Sequence, residues 1–141
     1  MRLGVDLVEI ARISRIAAHP GGRRLVFTAA ELAHADTLGQ RRATEYLAGR
    51  FGAKEAVAKV LGRGLGQGLV WRDIEVVADR YGAPTVTLRG GARAVATAAG
   101  IDRVEVSLSH QGGLVVCVAA ALPGAAGASA GDDPDPGWRC G

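Results

Sequence analysis

Glu55 and Lys59 stand one helical turn apart in the stretch Arg50-Phe51-Gly52-Ala53-Lys54-Glu55-Ala56-Val57-Ala58-Lys59, which runs on through Leu61 into glycines at 62, 64, 66 and 68. At 3.6 residues per turn, Phe51, Glu55, Lys59 and Gly62 fall on one helix face. That face carries an aromatic ring, a carboxylate and an ammonium. Read as ordinary surface, the Glu to Lys pair is worth only about 0.2 to 0.5 kcal/mol of helix stability. Read as chemistry, it is half of a site that needs a second acid. Asp6, at the end of an N-terminal strand, supplies one, and His110, after a late strand, is a further polar group at an element end. Two carboxylates without clustered Cys or His suit a hard cation such as Mg²⁺, which is held by one or two carboxylates together with substrate phosphates. Lys59 would then meet those phosphates, and the glycines after it would let backbone N–H groups approach an anion. The full Gly-x-x-x-x-Gly-Lys-Ser/Thr phosphate loop is absent, and these glycines follow a helix rather than precede one.

The elements that must position these groups read as follows. Residues 2–6 form a short strand ending at Asp6, and Val8, Ile10, Ile13 and Ile16 recur near helical spacing after it. Asp6 with Glu9 three residues on also fits a capping-box start, a structural role as well supported here as the chemical one. A His-Pro-Gly-Gly break at residues 19–22 closes this helix. Thr28 and Glu31 form a capping box for a helix to about Leu38, with Phe27 and Leu32 as its hydrophobic staple. The long helix begins near Thr44. Residues 73–78 and 85–88 form a hairpin, 90–99 an alanine-rich helix stopped by Gly100, and 103–109 an alternating strand capped by His110. Gln111-Gly112-Gly113 turns the chain into Leu114–Leu122, apolar enough to be central in the sheet.

Aromatic residues make up 4% of the 141 residues, so the core of this single domain is built from Ala, Val, Leu and Ile, and its thinness favours an oligomer. No apolar run spans a bilayer and the N-terminus is not a signal peptide, so the expected location is the cytoplasm, with no membrane partner. Cys117 and Cys140 have neither disulfide nor metal spacing. Residues 1–63 carry eleven Lys and Arg against six Asp and Glu, and residues 64–141 six against eight, so the basic half should face an acidic partner. Arg12 and Arg15, which share a helix face, with Arg23 and Arg24, are the candidate surface, although solvated helix surface is the commoner fate of such residues. Residues 123–141, rich in Pro, Gly, Ala, Ser and Asp, read as a disordered tail outside a domain at 1–122.

Gly4-x-Asp6 with Glu9-Ile10 and Arg12, Phe27-x-x-x-Glu31-Leu32, the Arg50 to Lys59 stretch, Asp73-Ile74-Glu75-Val76, Gly82-x-Pro84 and Ser107-Leu108-Ser109-His110 occur here in order. Together they resemble the holo-[acyl-carrier-protein] synthases, the short class of 4'-phosphopantetheinyl transferases, from residue 2 to about 122. Gly52 stands where that family often has Ala, at a cost of about 1 kcal/mol in helix propensity. The resemblance implies an α+β fold, an antiparallel sheet packed with helices, in a homotrimer with sites between subunits. It implies Mg²⁺-dependent transfer of 4'-phosphopantetheine from coenzyme A to a serine of an apo acyl carrier protein of fatty-acid or polyketide synthesis. On it, Asp6 and Glu55 hold the metal and Lys59 faces the coenzyme A phosphates. Phe51, Gly62, the turn at Gly82 to Pro84, Ser109 and His110 line the nucleotide pocket, and Arg12, Arg15, Arg23 and Arg24 meet the acidic carrier protein. The serine's base is left open among Asp6, Glu55 and a metal-bound water.

Two other classes fit parts of the pattern. A Mg²⁺-dependent nucleotide hydrolase would use the same acids and lysine with water as nucleophile. A basic nucleic-acid module would use the arginines, but so few aromatics leave little for bases to stack on, and no nucleic-acid motif is present.

Overall fold

The computed structural model describes residues 1–124, and most of the segment read as a tail lies outside them. The element order is β1 (Arg2–Glu9), α1 (Ile10–Ala18), α2 (Pro20–Val26), α3 (Ala29–Asp36), α4 (Gln40–Leu61), a 3₁₀ turn (Trp71–Asp73), β2 (Ile74–Ala78), β3 (Pro84–Leu88), α5 (Gly90–Ala98), β4 (Ile101–Gln111) and β5 (Leu114–Pro123). Strands β1, β5 and β4 form one antiparallel sheet in that order, and β2 and β3 form a separate hairpin. The architecture is α+β with antiparallel sheets. The apolar β5 is central, as its unbroken hydrophobic run predicts. None of the described helices is long and apolar enough to cross a membrane.

Helix α4 lies across the inner face of the three-stranded sheet. Small residues make this approach possible: Ala48, Ala53, Ala56 and Ala58 are buried along it, and so are Gly49 and Gly52. A β-carbon on Gly4 of β1 would lie 2.2 Å from the Ala56 carbonyl oxygen and 3.1 Å from the Val60 nitrogen, so strand and helix touch backbone to backbone there. Gly52 has an equally local reason. A β-carbon there would lie 2.7 Å from Cys117 Sγ and 3.1 Å from Val8 Cγ2, so its loss of helix propensity is offset by room for β5 and β1. Gly52→Ala should therefore cost about 1 to 3 kcal/mol by overpacking. Adding Cys117→Ala should recover part of that loss in the midpoint of urea unfolding, because the 2.7 Å contact goes and the propensity gain of about 1 kcal/mol stays, while the 3.1 Å approach to Val8 remains.

Several boundaries differ from the sequence reading. β1 continues three residues past Asp6, because Leu7, Val8 and Glu9 pair with Val116, Val115 and Leu114. Asp6 is thus a mid-strand residue and not a helix cap. The α1 N-cap is Glu9, without a side-chain cap bond. The break at 19–22 does close α1, whose C-cap is His19, but its Pro-Gly-Gly is helical and opens α2, with Pro20 in the first turn, where a missing N–H costs nothing. Helix α4 starts at Gln40 and not near Thr44. His110 lies within β4 rather than capping it, and Pro123 closes β5. The Thr28–Glu31 capping box forms as read, with both reciprocal bonds present.

Candidate functional site

Strand β1 alternates: Gly4, Asp6 and Val8 turn toward α4, while Leu3, Val5 and Leu7 turn away and are exposed. Because Gly4 lets the strand lie directly on the helix, Asp6 arrives beside the last two turns of α4. Lys59 Nζ donates to Asp6 Oδ1 at 2.9 Å and to the Val5 carbonyl at 2.8 Å. Burial raises the Glu55 carboxyl above the ordinary Glu value, and the negative charge of Asp6 raises it further, while Lys59 and Arg12 oppose both. Asp6, Glu55, Lys59 and Arg12 therefore share one electrostatic environment. Two acids that repel each other, with one ammonium anchored between strand and helix, make an oxygen-donor set suited to a hard divalent cation completed by ligand oxygens. The described residues hold no cluster of three or more metal-ligating side chains, so such an ion would need those further oxygens.

Phe51, one turn before Glu55, is buried and stacks on Trp71 with ring centroids 4.7 Å apart, while the Arg12 guanidinium sits 5.5 Å from its ring centre. Gly62 ends α4 at φ +71°, a left-handed C-cap that favours glycine. The segment after it is tied by its own bonds, among them Gly66 N–H to the Leu69 carbonyl at 2.8 Å. With Leu25 at the end of α2, this segment walls an apolar cavity of about 580 Å³ at Glu55, lined by Leu65, Leu69, Val70 and Trp71.

The remaining candidates lie elsewhere in the single chain. Gly82, at φ +86°, and Pro84 belong to the β2–β3 hairpin and do not line the cavity at Glu55. Ser109 and His110 are neighbours in an extended strand, so their side chains leave opposite faces of the sheet. His110 shares a register row with Val115 and Val8 on the helix side, and lines a separate cleft of about 1030 Å³ with Ser14, Arg41 and Thr44. Ser109 shares its row with Val116 and Leu7 on the outer side. Arg23 is held by Asp36 at 2.7 Å, and Arg23 and Arg24 border a smaller hollow with Pro20 and Leu32. Arg15 is exposed in the last turn of α1.

Two contributors were not among the sequence candidates. Lys54, adjacent to Glu55, is fully buried and pairs with the equally buried Glu31 at 2.9 Å. Burial lowers the Lys54 ammonium pKa, an effect the Glu31 charge works against. Trp71 was also missed. Lys54 leaves α4 about 100° round from Glu55, and only the packing of α3 and the 3₁₀ turn against that side makes the direction an inward one.

A family model for the 4'-phosphopantetheinyl transferase superfamily matches residues 2–119. The chain is 46% identical over 123 residues to a holo-[acyl-carrier-protein] synthase of Desulforudis audaxviator, covering 85% of this chain and 91% of that one. It is 44% identical over 111 residues to a synthase of the same name from Moorella thermoacetica, covering 78% and 84%. Among solved structures, a holo-(acyl-carrier-protein) synthase from Bacillus anthracis in complex with coenzyme A (3',5'-ADP) is similar at a TM-score of 0.72 and 30% identity, covering 85% of this chain and 94% of that one.

Proposed function

Because the chain belongs to the 4'-phosphopantetheinyl transferase superfamily and is a transferase, we propose that it is a Mg²⁺-dependent enzyme that moves 4'-phosphopantetheine from coenzyme A to a serine of an apo acyl carrier protein. Adenosine 3',5'-bisphosphate is the product released. The observation that carries this reading is the meeting of Asp6, Glu55 and Lys59 at the contact of β1 with α4. The serine oxygen attacks the phosphorus that bears pantetheine, and the bond from that phosphorus to the nucleotide breaks. Such a reaction depends on positioning and on balancing charge over the phosphate oxygens.

Asp6 and Glu55 would hold Mg²⁺, which when bound supplies positive charge to the pyrophosphate. Lys59, anchored to Asp6 and to the Val5 carbonyl, sets a second positive charge beside it. Phe51, buried behind Trp71, and Gly62, at the end of α4, would back the coenzyme A site within the chain without lining the cavity at Glu55. Gly82, Pro84, Ser109 and His110 would contribute to a nucleotide pocket only across subunits. The outer sheet face supports a homotrimer assembled this way: Leu3, Val5 and Leu7 are 61%, 54% and 61% exposed, and Val116 and Val118 continue the apolar patch beside Ser109. The catalytic domain would be residues 1–122 of a cytoplasmic enzyme serving fatty-acid or polyketide synthesis.

Arg12, Arg15, Arg23 and Arg24 would steer the acidic carrier protein by complementary charge, which acts on encounter rate and is screened by salt. The KM for the carrier protein should rise several-fold between about 50 mM and 500 mM NaCl while the KM for coenzyme A moves less. An unchanged carrier KM would leave the arginines as solvated surface.

The reading is tested by intact-mass spectrometry of purified apo carrier proteins incubated with the enzyme, coenzyme A and Mg²⁺. A mass gain of one phosphopantetheine, abolished by a chelator, is expected. Hydrolysis of coenzyme A without mass gain would instead identify a hydrolase.

A further inference from the structure

The cavity at Glu55 has two walls from distant parts of the chain: the end of α2, with Leu25, and the segment leading into the 3₁₀ turn, with Leu65, Leu69, Val70 and Trp71. One side chain is bonded to the backbone of both. Lys54 Nζ donates to the Val26 carbonyl at 2.9 Å and to the Trp71 carbonyl at 3.1 Å, and its third partner is Glu31 Oε2 at 2.9 Å. Every proton of the ammonium thus has a partner.

Glu31 is itself fastened. Its Oε1 accepts from the Val76 N–H at 2.8 Å and its Oε2 from the Thr28 N–H at 2.9 Å. The ammonium is therefore held at a point set by α3 and β2, and it holds the two cavity walls in turn. Trp71, tethered through its carbonyl, keeps its ring on Phe51, the residue one turn before Glu55.

We infer that Lys54 is a positioning residue: its two carbonyl bonds fix both walls of the cavity beside Glu55 and so set the shape of the space in which a substrate meets that carboxylate. The kinetic part of the inference rests on the transferase reading above; the clamp itself does not. A buried ion pair is a poor stability device, because well-packed neutral groups of similar volume often serve as well. Its geometric effect is separable from its energetic one for the same reason.

The test uses the full chain in a Trp138→Phe background, so that Trp71 is the one tryptophan. Lys54→Met combined with Glu31→Gln removes both charges and the two carbonyl bonds. Acrylamide quenching of Trp71 is expected to rise about twofold or more. kcat/KM for coenzyme A is expected to fall about 10- to 100-fold, read at a temperature where circular dichroism shows the variant folded. Glu31→Gln alone leaves Lys54 its carbonyl bonds, and should lower the melting temperature while keeping Trp71 quenching and kcat/KM within about threefold of the parent. Should the double variant fail to fold, Lys54→Gln, with a single amide donor group, is read by the same two measurements.

Unchanged quenching and activity in a folded Lys54 variant would overturn the inference, leaving the pair a packing feature. So would equal release of Trp71 by Glu31→Gln alone, since the ion pair and not the carbonyl bonds would then hold the wall. The quenching measurement needs no transfer assay, so failure of the clamp and failure of the transferase reading are told apart.

Discussion

Glu55→Gln is expected to reduce kcat/KM for carrier-protein modification by about 10³-fold or more while leaving the protein at least as stable as the parent. The two effects have opposite signs for one reason. Burial and the neighbouring Asp6 raise the Glu55 carboxyl in the folded chain, so its ionised form is disfavoured on folding. The cost begins as pH rises past the unfolded-state value, is complete above the folded-state value, and is removed by a neutral amide. The amide also removes an anionic oxygen from the proposed metal site and lowers the charge complementarity to a cation there. Asp6→Asn should lose comparable activity. Its effect on stability differs, because Asp6 is the carboxylate partner of Lys59. Steady-state kinetics with thermal melts of the same preparations check both. Retention of more than about a tenth of parental kcat/KM by either variant would remove that carboxylate from the reaction.

Gly4→Ala is expected to be the most damaging single-methyl change in the described structure, at about 3 kcal/mol or more of stability. A methyl there meets the Ala56 carbonyl oxygen at 2.2 Å, and neither a β-carbon fixed to the strand nor a backbone carbonyl of the helix can rotate away. β1 must move off α4 or pull its pairing with β5 apart. Either response shifts Asp6, two residues on, relative to Lys59, to which it bonds at 2.9 Å. Displacements near 1 Å in a positioned group can cost about 100-fold in rate, so the fraction that still folds should also be impaired. Urea unfolding and activity per folded molecule are the measurements. A Gly4→Ala protein with parental stability and rate would mean that strand and helix are free to separate, and that their contact does not position Asp6.

Much of the local structure was legible because its causes are local. The Thr28–Glu31 capping box, the glycine stop at Gly62, the hairpin ending in β3 and the apolar run of β5 each depend on residues a few positions apart. The face shared by Phe51, Glu55 and Lys59 follows from helix geometry, and the resemblance of the motifs pointed to the family that the comparisons show. Element ends were harder to read. Asp6 read as a strand terminus because nothing in residues 2–9 reveals that β5 pairs with all of them.

The sequence by itself determined the elements, the acidic and basic residues available for chemistry, and the family, since these follow from residue types at short spacings. Only the tertiary structure decided why Gly4 and Gly52 are glycines, because the atoms that would collide belong to Ala56 and Cys117, distant in the chain. It alone turned Lys54 inward to Glu31 while leaving Glu55 at a cavity and Lys59 bonded to Asp6. Consecutive residues on a helix point about 100° apart, and what each direction meets is set by packing between segments far apart in sequence.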